Sequence, residues 1–449
     1  MSFKIRESQN HFHLNIKKIT NGLKGSVSIM KNIILSLLSL LLFTIQIHGS
    51  IRTHAYDILL EIFPENQSII VQANIKLSID PKSVDSLVFY LHKEFSIKEI
   101  KSKVKVSHIF KTTESSPYFW MQDARSLRIK LENNKEKNLN IQVVYQGAIK
   151  DLKWKTTNMI TESWIELGNY SAWFPYNPNY GAFISHVKLK IDSSYTVTGM
   201  GRIQKIGKNW EIQQLKPAND IVIIASKDLK TYYDDDKSKS IRLDYVMFNQ
   251  QNANETIKNV KFIVAQYKNW FKKSSDVQFT IVVIPPFPGR GSYHRKNFMA
   301  LLQPEPGVNI SFSLIAHEIA HEWWNGAPTN NFEDWLNESF AEYSSLMAIR
   351  EKFGLDRFDE WIQYKEFSSR GAPPILQSNT NMRAQTATLY DKGPLILYKL
   401  EKKIGKRLFI KFLGELINQN IKSTENLLNL LEELTSKEIR VYFENELRK

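Results

Sequence analysis

Residues 311–328 read Ser311-Phe-Ser-Leu-Ile-Ala-His317-Glu318-Ile-Ala-His321-Glu-Trp-Trp324-Asn-Gly326-Ala-Pro328. Ser311 or Ser313 can cap a helix start, because a serine oxygen accepts from a backbone N–H in the first turn. Leu314, Ile315 and Ile319 give that helix an apolar side, Trp323 and Trp324 extend it, and Gly326 and Pro328 stop it. Residues i and i+4 of a helix share a face one turn apart. His317 and His321 can therefore reach a single cation, at about 2.0–2.1 Å if it is zinc. Glu318 projects beside them and can hold a metal-bound water. A lone His on such a face would be read as a core residue, whereas two His around a Glu, in a chain with only 10 His, point to a metal.

A zinc of this kind needs a third protein ligand and an open position. The segment Trp335-Leu-Asn337-Glu338-Ser339-Phe-Ala-Glu342-Tyr343 offers two carboxylates at i and i+4. Glu338 is read as the ligand. Glu342 is read as the carboxylate that accepts the far ring N–H of a liganding His and so sets its tautomer. The swapped assignment and an exposed Glu342 are the alternatives. Further on, Leu389-Tyr390-Asp-Lys-Gly393-Pro-Leu-Ile-Leu-Tyr398 opens a helix that continues through Leu400, Ile404 and Phe409. A phenol at a helix start is free to point into a cleft, where Tyr390 could donate to a developing oxyanion. Read alone, Tyr390 is an aromatic at a helix start.

Outward from these motifs the chain divides by pattern. Residues 51–232 are rich in short β-branched and aromatic runs. Ser68-Ile-Ile-Val-Gln-Ala-Asn-Ile-Lys-Leu-Ser-Ile79 and Leu139-Asn-Ile-Gln-Val-Val-Tyr145 are two of them. Their alternation predicts antiparallel sheets with one wet face, an N-terminal sandwich or saddle. Thr231 to Ser240 reads as a boundary loop. Its Asp234, Asp235 and Asp236 lack the alternating spacing of a calcium loop and are read as a solvated turn. Residues 233–449 form the second domain. A helix is predicted over 252–272, an apolar strand over Phe279 to Ile284, a rigid loop over Pro285 to Gly291, and helices from about Ser311 onward. The fold class is α+β.

Residues 1–50 read as a leader. Met30, Lys31 and Asn32 precede an apolar run from Ile33 to Ile47, and His48-Gly49-Ser50 follows. A positive start, an apolar middle and a small-residue end match a signal peptide, and Met30 is its natural start. The run has 15 residues, short of the roughly 20 that a spanning helix needs. A cleaved leader and an uncleaved anchor both put the rest of the chain outside the cytosol. The expected destination is the periplasm, the cell surface or the medium, with no stable membrane span once the leader is cut.

The chain has 449 residues, 42% hydrophobic and 24% charged, and no cysteine. Disulfide frameworks, thiolate metal sites and cysteine nucleophiles are thereby excluded. The formal net charge is +14, with no block of five or six like charges. A nucleic-acid footprint would need the basic residues clustered on one face, so no nucleic-acid partner is expected.

Taken together, these segments resemble the aminopeptidase N family of gluzincin zinc metallopeptidases. That family carries a His-Glu-x-x-His helix, an Asn-Glu helix and a Tyr-x-Lys-Gly segment in this order. They stand here as His317 to His321, Asn337-Glu338 and Tyr390-Asp-Lys-Gly393. Trp173-Phe-Pro-Tyr-Asn-Pro-Asn179 and Leu400-Glu-Lys-Lys-Ile-Gly405 are similar to flanking family segments. The resemblance implies a saddle-like β-domain on a thermolysin-like, mostly helical catalytic domain. It also implies one zinc per chain held by His317, His321 and Glu338, with Glu318 as acid and base and Tyr390 on the oxyanion. The implied substrate is a peptide and the implied activity that of an aminopeptidase.

The sequence departs from the family in four places. Ser339 stands where Gly is common. The 16 residues between His321 and Glu338 make a connection slightly shorter than usual. The family's Gly-x-Met-Glu-Asn segment, whose Glu grips a substrate's free amino terminus, gives way to Gly289-Arg-Gly-Ser-Tyr-His-Arg-Lys-Asn-Phe-Met299. The long C-terminal helical solenoid is not expected in this chain. The last two differences leave an endopeptidase or oligopeptidase open, and beyond that a non-catalytic binding protein of the same fold.

Overall fold

The structure is a computed structural model that describes residues 51–150, 158–234, 241–272, 279–287, 290–376 and 382–449. The leader expected within residues 1–50 and part of the Asp234–Asp236 turn lie outside the described residues. Asp234 is described: it is buried and pairs with Lys261 at 2.9 Å, so it is no solvated residue.

Strand Ser68–Ile79 shows how the alternation works. Ile69, Val71, Ala73, Ile75, Leu77 and Ile79 are buried and the residues between them are not. It pairs antiparallel with Asn138–Ala148, Ile75 opposite Ile141. They belong to a seven-stranded sheet in the order Arg202–Ile206, Asn209–Ala218, Phe183–Lys190, Ile51–Phe63, Ser68–Ile79, Asn138–Ala148, Ser96–Ser102. One neighbouring pair departs from the antiparallel expectation: Ile51–Phe63 runs parallel to Phe183–Lys190, Ala55 opposite Ile184. Parallel neighbours need a long crossover, and the intervening strands provide it. A three-stranded sheet (Ser86–His92, Ala124–Leu131, Val106–Ser115) and a four-stranded sheet (Thr196–Gly199, Ile223–Ser226, Ile165–Leu167, Met159–Ile160) complete the β-rich half.

The second half opens with a mixed five-stranded sheet, ordered Lys230–Tyr233, Ile241–Tyr245, Phe279–Ile284, Phe298–Leu302, Tyr293–Arg295. The parallel step from Ile241–Tyr245 to Phe279–Ile284 is made over helix α1 (Gln250–Phe271). The helices that follow are α2 (Phe312–Ala320), α3 (Trp335–Phe353), α4 (Leu355–Ser368), α5 (Gly393–Ile404), α6 (Lys406–Asn418), α7 (Thr424–Leu434) and α8 (Lys437–Leu447). One apolar cluster runs through them, including Tyr267, Phe271, Trp323, Phe340, Leu400 and Phe409. Mixed β then α architecture, as the pattern predicted, is what the structure shows.

Asp244 joins the two halves. It is fully buried on Ile241–Tyr245 and accepts from Thr198 on the four-stranded sheet and from Thr231, both at 2.5 Å. Arg242 Nε lies 2.9 Å from it. Asp244→Ala would leave the buried Thr198 hydroxyl, the exposed Thr231 hydroxyl and the partly exposed Arg242 guanidinium without their acceptor. A loss of about 2 kcal/mol of stability is expected, since a stranded buried group costs roughly 1–3 kcal/mol. Urea unfolding measures it, and a loss below about 1 kcal/mol would show that this carboxylate is not the link.

Candidate metal centre

Helix α2 starts where the sequence placed it, with Ser311 Oγ accepting from Leu314 N at 3.2 Å. Its inner side is held by Tyr267, whose hydroxyl donates to the Ala316 carbonyl at 2.9 Å. Its end differs from expectation. The helix stops at Ala320, short of Gly326, with His321 still helical in geometry (φ −64, ψ −9), while Trp323 and Trp324 carry its apolar packing on through the turn that follows. This turn returns the Trp324 carbonyl to the His321 ring, 2.9 Å from Nδ1. A carbonyl only accepts, so Nδ1 carries the proton and Nε2 of the neutral ring is a bare lone pair.

His317 is braced in the same sense by another group. Its Nδ1 lies 2.8 Å from Glu342 Oε2 and donates to it, which is the role the sequence gave Glu342. The Nε2 atoms of His317 and His321 then face each other at 3.2 Å. Glu338 Oε2 is 3.5 Å from each of them. Two imidazole nitrogens and a carboxylate oxygen thus share one point, all within 4.8 Å, and Glu338 Oε2 is buried with no hydrogen-bond donor.

This arrangement fits a cation. Tetrahedral ligands at about 2.0–2.1 Å from zinc stand about 3.3 Å from one another, close to the separations seen here. Without a cation the demand is met by a proton. Burial pushes the His317 imidazole down, but the carboxylates of Glu338 and Glu342 beside it outweigh that and lift it to about 10. Glu338 responds oppositely: burial raises it, and the charge of His321 and then of His317 holds it well below the carboxylate range. A bound metal would displace the proton.

The connection from His321 to Glu338 closes tightly. Asn337 Oδ1 accepts from Ala327 N at 3.1 Å while its Nδ2 donates to Asp334 Oδ1 at 2.8 Å. These bonds fix the first turn of α3 against the loop and carry Glu338 to the imidazoles despite the shortened linker. Arg383 grips the other side, with Nε 2.6 Å from Asp334 and Nη2 3.5 Å from Glu338 Oε1. Glu318 is buried beside the cluster, and burial, only partly offset by the charges of His317 and His321, raises its carboxyl.

Tyr390 lies at the cluster too, its ring centroid 5.6 Å from that of His317. It is not at a helix start. It sits in a π turn, Thr388–Lys392, that leads into α5. Gly393 N bonds back to the Thr388 carbonyl, five residues away. The next carbonyl, Leu389, would take the N–H of residue 394, which is a proline and has none. Ser339 Oγ donates to it instead, at 2.6 Å, from the turn of α3 just after Glu338. Burial, and then the Glu338 charge, raises the phenol far above its ordinary value, so it stays a donor.

Sequence reading found His317, Glu318, His321, Glu338, Glu342 and Tyr390, and the structure brings all six together. It missed Ser339 as a tether and the two cations Arg383 and Lys365, the latter on α4. Arg383 and Lys365 have no local motif. Pro394 was the one legible hint that the Leu389 carbonyl needs a donor from elsewhere.

Two histidines and a glutamate brought to one point by two helices make a three-ligand site of the kind that holds a divalent metal. Residues 307–445, the segment that carries this cluster, match the Peptidase family M1 domain. Aminopeptidase N of Lactococcus lactis subsp. lactis is 28% identical over 149 residues, 29% of this chain and 18% of that protein. Aminopeptidase M1-B of Oryza sativa subsp. japonica is 27% identical over 144 residues, 28% of this chain and 16% of that protein. The aligned stretches therefore span less than a fifth of these two relatives. The fold is similar to that of the M1 zinc metallopeptidase from Deinococcus radiodurans, with TM-score 0.67, 15% identity and coverage of 89% of this chain and 95% of that one. The leukotriene A4 hydrolase of Saccharomyces cerevisiae has TM-score 0.68 at 16% identity, over 89% of this chain and 68% of that chain.

Gly393 matters to this geometry for its missing Cβ, which would fall 2.0 Å from Ser339 Oγ and 2.6 Å from Ser339 Cβ. Gly393→Ala is expected to destabilise by about 1–3 kcal/mol through overpacking. Adding Ser339→Gly should recover most of that loss. Thermal or urea unfolding of the two variants checks it, and an unchanged single variant would mean the contact is loose.

Proposed function

We propose that this chain is an exported zinc-dependent peptidase with one zinc per chain, and that it acts on peptides as an aminopeptidase. The observation that carries the proposal is the convergence of two bare imidazole nitrogens and the donorless Glu338 oxygen on one point. In this reading His317, His321 and Glu338 hold the ion. Zinc, when bound, supplies a Lewis acid and lowers the pKa of water toward about 7.

The chain's own groups do the rest. Glu318, kept basic by its buried setting, accepts a proton from the attacking water and hands it to the leaving nitrogen. Such transfers are worth roughly 10²–10⁴-fold. Tyr390 keeps its proton and donates it as a hydrogen bond to the oxygen that becomes negative. Glu342 and the Trp324 carbonyl hold the two rings in the tautomer that leaves Nε2 free.

A specific observation favours an endopeptidase as the second reading. On strand Tyr293–Arg295, His294 Nε2 lies 3.1 Å from Glu322 and Arg295 Nε lies 2.7 Å from Asp220. The strand presents a histidine and an arginine, and no carboxylate of its own to hold a free amine. An aminoacyl reporter set against an N-blocked internal peptide separates the two. Cleavage of the blocked peptide alone would replace the aminopeptidase assignment. A metal-free, inert protein would favour the non-catalytic binding role.

Export is proposed on the apolar run Ile33 to Ile47. Among the described residues no helix is long and apolar enough to cross a membrane. A mature N-terminus near Ser50 is the expected result of sequencing the purified protein, and an intact residue 1 would contradict cleavage.

Glu318→Gln should retain zinc, measured by metal analysis, and lose nearly all turnover. Wild-type turnover in that variant would remove Glu318 from the role of base. Tyr390→Phe should lose about 10²–10³-fold in kcat if its hydroxyl stabilises the oxyanion, and an unchanged rate would return Tyr390 to packing.

A further inference from the structure

Lys365 is a charged residue placed where charge is costly. It lies on α4 and is 5% exposed. Its ammonium is 2.7 Å from Glu342 Oε1 and 3.1 Å from Asp391 Oδ1. The other oxygen of Glu342 holds His317 Nδ1 at 2.8 Å, and Asp391 is the neighbour of Tyr390 in the π turn. One cation thus spans from the carboxylate behind a metal-facing imidazole to the turn that carries the phenol. Burial alone would lower the lysine, but the charges and bonds of Glu342 and Asp391 outweigh it and keep it an ammonium.

We infer that Lys365 is a positioning residue that sets Tyr390 against the metal centre by bridging Glu342 to Asp391. The inference rests on the zinc-peptidase reading above. Three elements meet here: α3 brings Glu342, α4 brings Lys365 and the π turn brings Asp391. A π turn holds one more residue per turn than an α-helix, so its backbone bonds alone define its side-chain directions less firmly. The Ser339 bond fixes its carbonyl edge and the ammonium fixes the acidic side chain next to the phenol. Removing the ammonium would leave Glu342 with the His317 N–H alone and Asp391 without its cation, and so drive Asp391 toward water, taking Tyr390 with it. The sequence gives no sign of this, since Lys365 stands in an ordinary amphipathic helix 26 residues before Asp391.

The test is Lys365→Met, which keeps the stem and removes the charge, measured in wild-type and Tyr390→Phe backgrounds. The expected result is a kcat about tenfold lower with KM within about twofold, because only an interaction made in the transition state is weakened. In the Tyr390→Phe background the same change should cost less than about twofold, because the two residues act as one unit. Zinc affinity, read by competition with a chelator, should change less than about threefold on the same logic. Asp391→Asn breaks the far end of the bridge from a more exposed position and should reproduce these values if Lys365→Met fails to fold. In metal-free protein, hydrogen exchange over residues 386–393 should quicken in both variants. Unchanged kcat, an equal loss in both backgrounds, or unchanged exchange in that segment would each overturn the inference. A wild-type protein with neither zinc nor peptide cleavage would instead overturn the peptidase reading, while the exchange measurement would still decide whether Lys365 holds the turn.

Discussion

Everything at this site depends on keeping three electron-rich atoms pointed at one another where water is scarce. Bare imidazole nitrogens at 3.2 Å and a carboxylate oxygen 3.5 Å from each repel one another unless a positive charge lies among them. The protein maintains that unfavourable geometry by holding each group from behind. Glu342 holds one ring, the Trp324 carbonyl holds the other, and Arg383 and the Asn337 bonds fix the turn that carries Glu338. Each brace comes from a different stretch of chain, so the centre exists only when α2, α3 and the loops between them are packed. The apolar cluster around Tyr267, Phe271 and Trp323 provides that packing.

Charge balance sets the next constraint. Glu318, Glu338, Glu342, Asp334 and Asp391 surround the cluster, and Lys365 and Arg383 lie among them. The acids outnumber the side-chain cations, and a divalent ion narrows the difference. Asp334 shows the strain of this crowding: burial, followed by the charge of Glu338, lifts its carboxyl to about 6 even with Arg383 at 2.6 Å. The same low-dielectric setting that makes these acids costly strengthens whatever the bound ion does.

Much of this was legible in the sequence because the chemistry is local there. His317, Glu318 and His321 sit within one helical turn, and Glu338 and Glu342 repeat the i, i+4 spacing on the next helix, so faces could be assigned without a structure. Strand Ser68–Ile79 was read to its end residues because period-two burial is written in its side chains. Other features were hidden. The early end of α2 depends on a carbonyl reaching back to His321, which no side-chain pattern records. The π turn at Tyr390 looks like any helix start until Pro394 and the Ser339 hydroxyl are seen together. The parallel pairing of Ile51–Phe63 with Phe183–Lys190 links segments too distant for any alternation rule to connect. Lys365 and Arg383 gain their meaning from neighbours on other elements.

That parallel pairing shapes how the chain is made. One side of Ile51–Phe63 finds its partner early, in the hairpin with Ser68–Ile79, but the other side must wait for Phe183–Lys190. At synthesis rates of about 5–20 residues per second, the wait is roughly 6 to 25 seconds. During that interval a row of peptide groups on the first strand stands open to any extended segment that passes. The seven-stranded sheet can therefore be joined only once Phe183–Lys190 and, after it, Arg202–Ile206 and Asn209–Ala218 have been made, just ahead in the chain of the helical half that bears the metal centre.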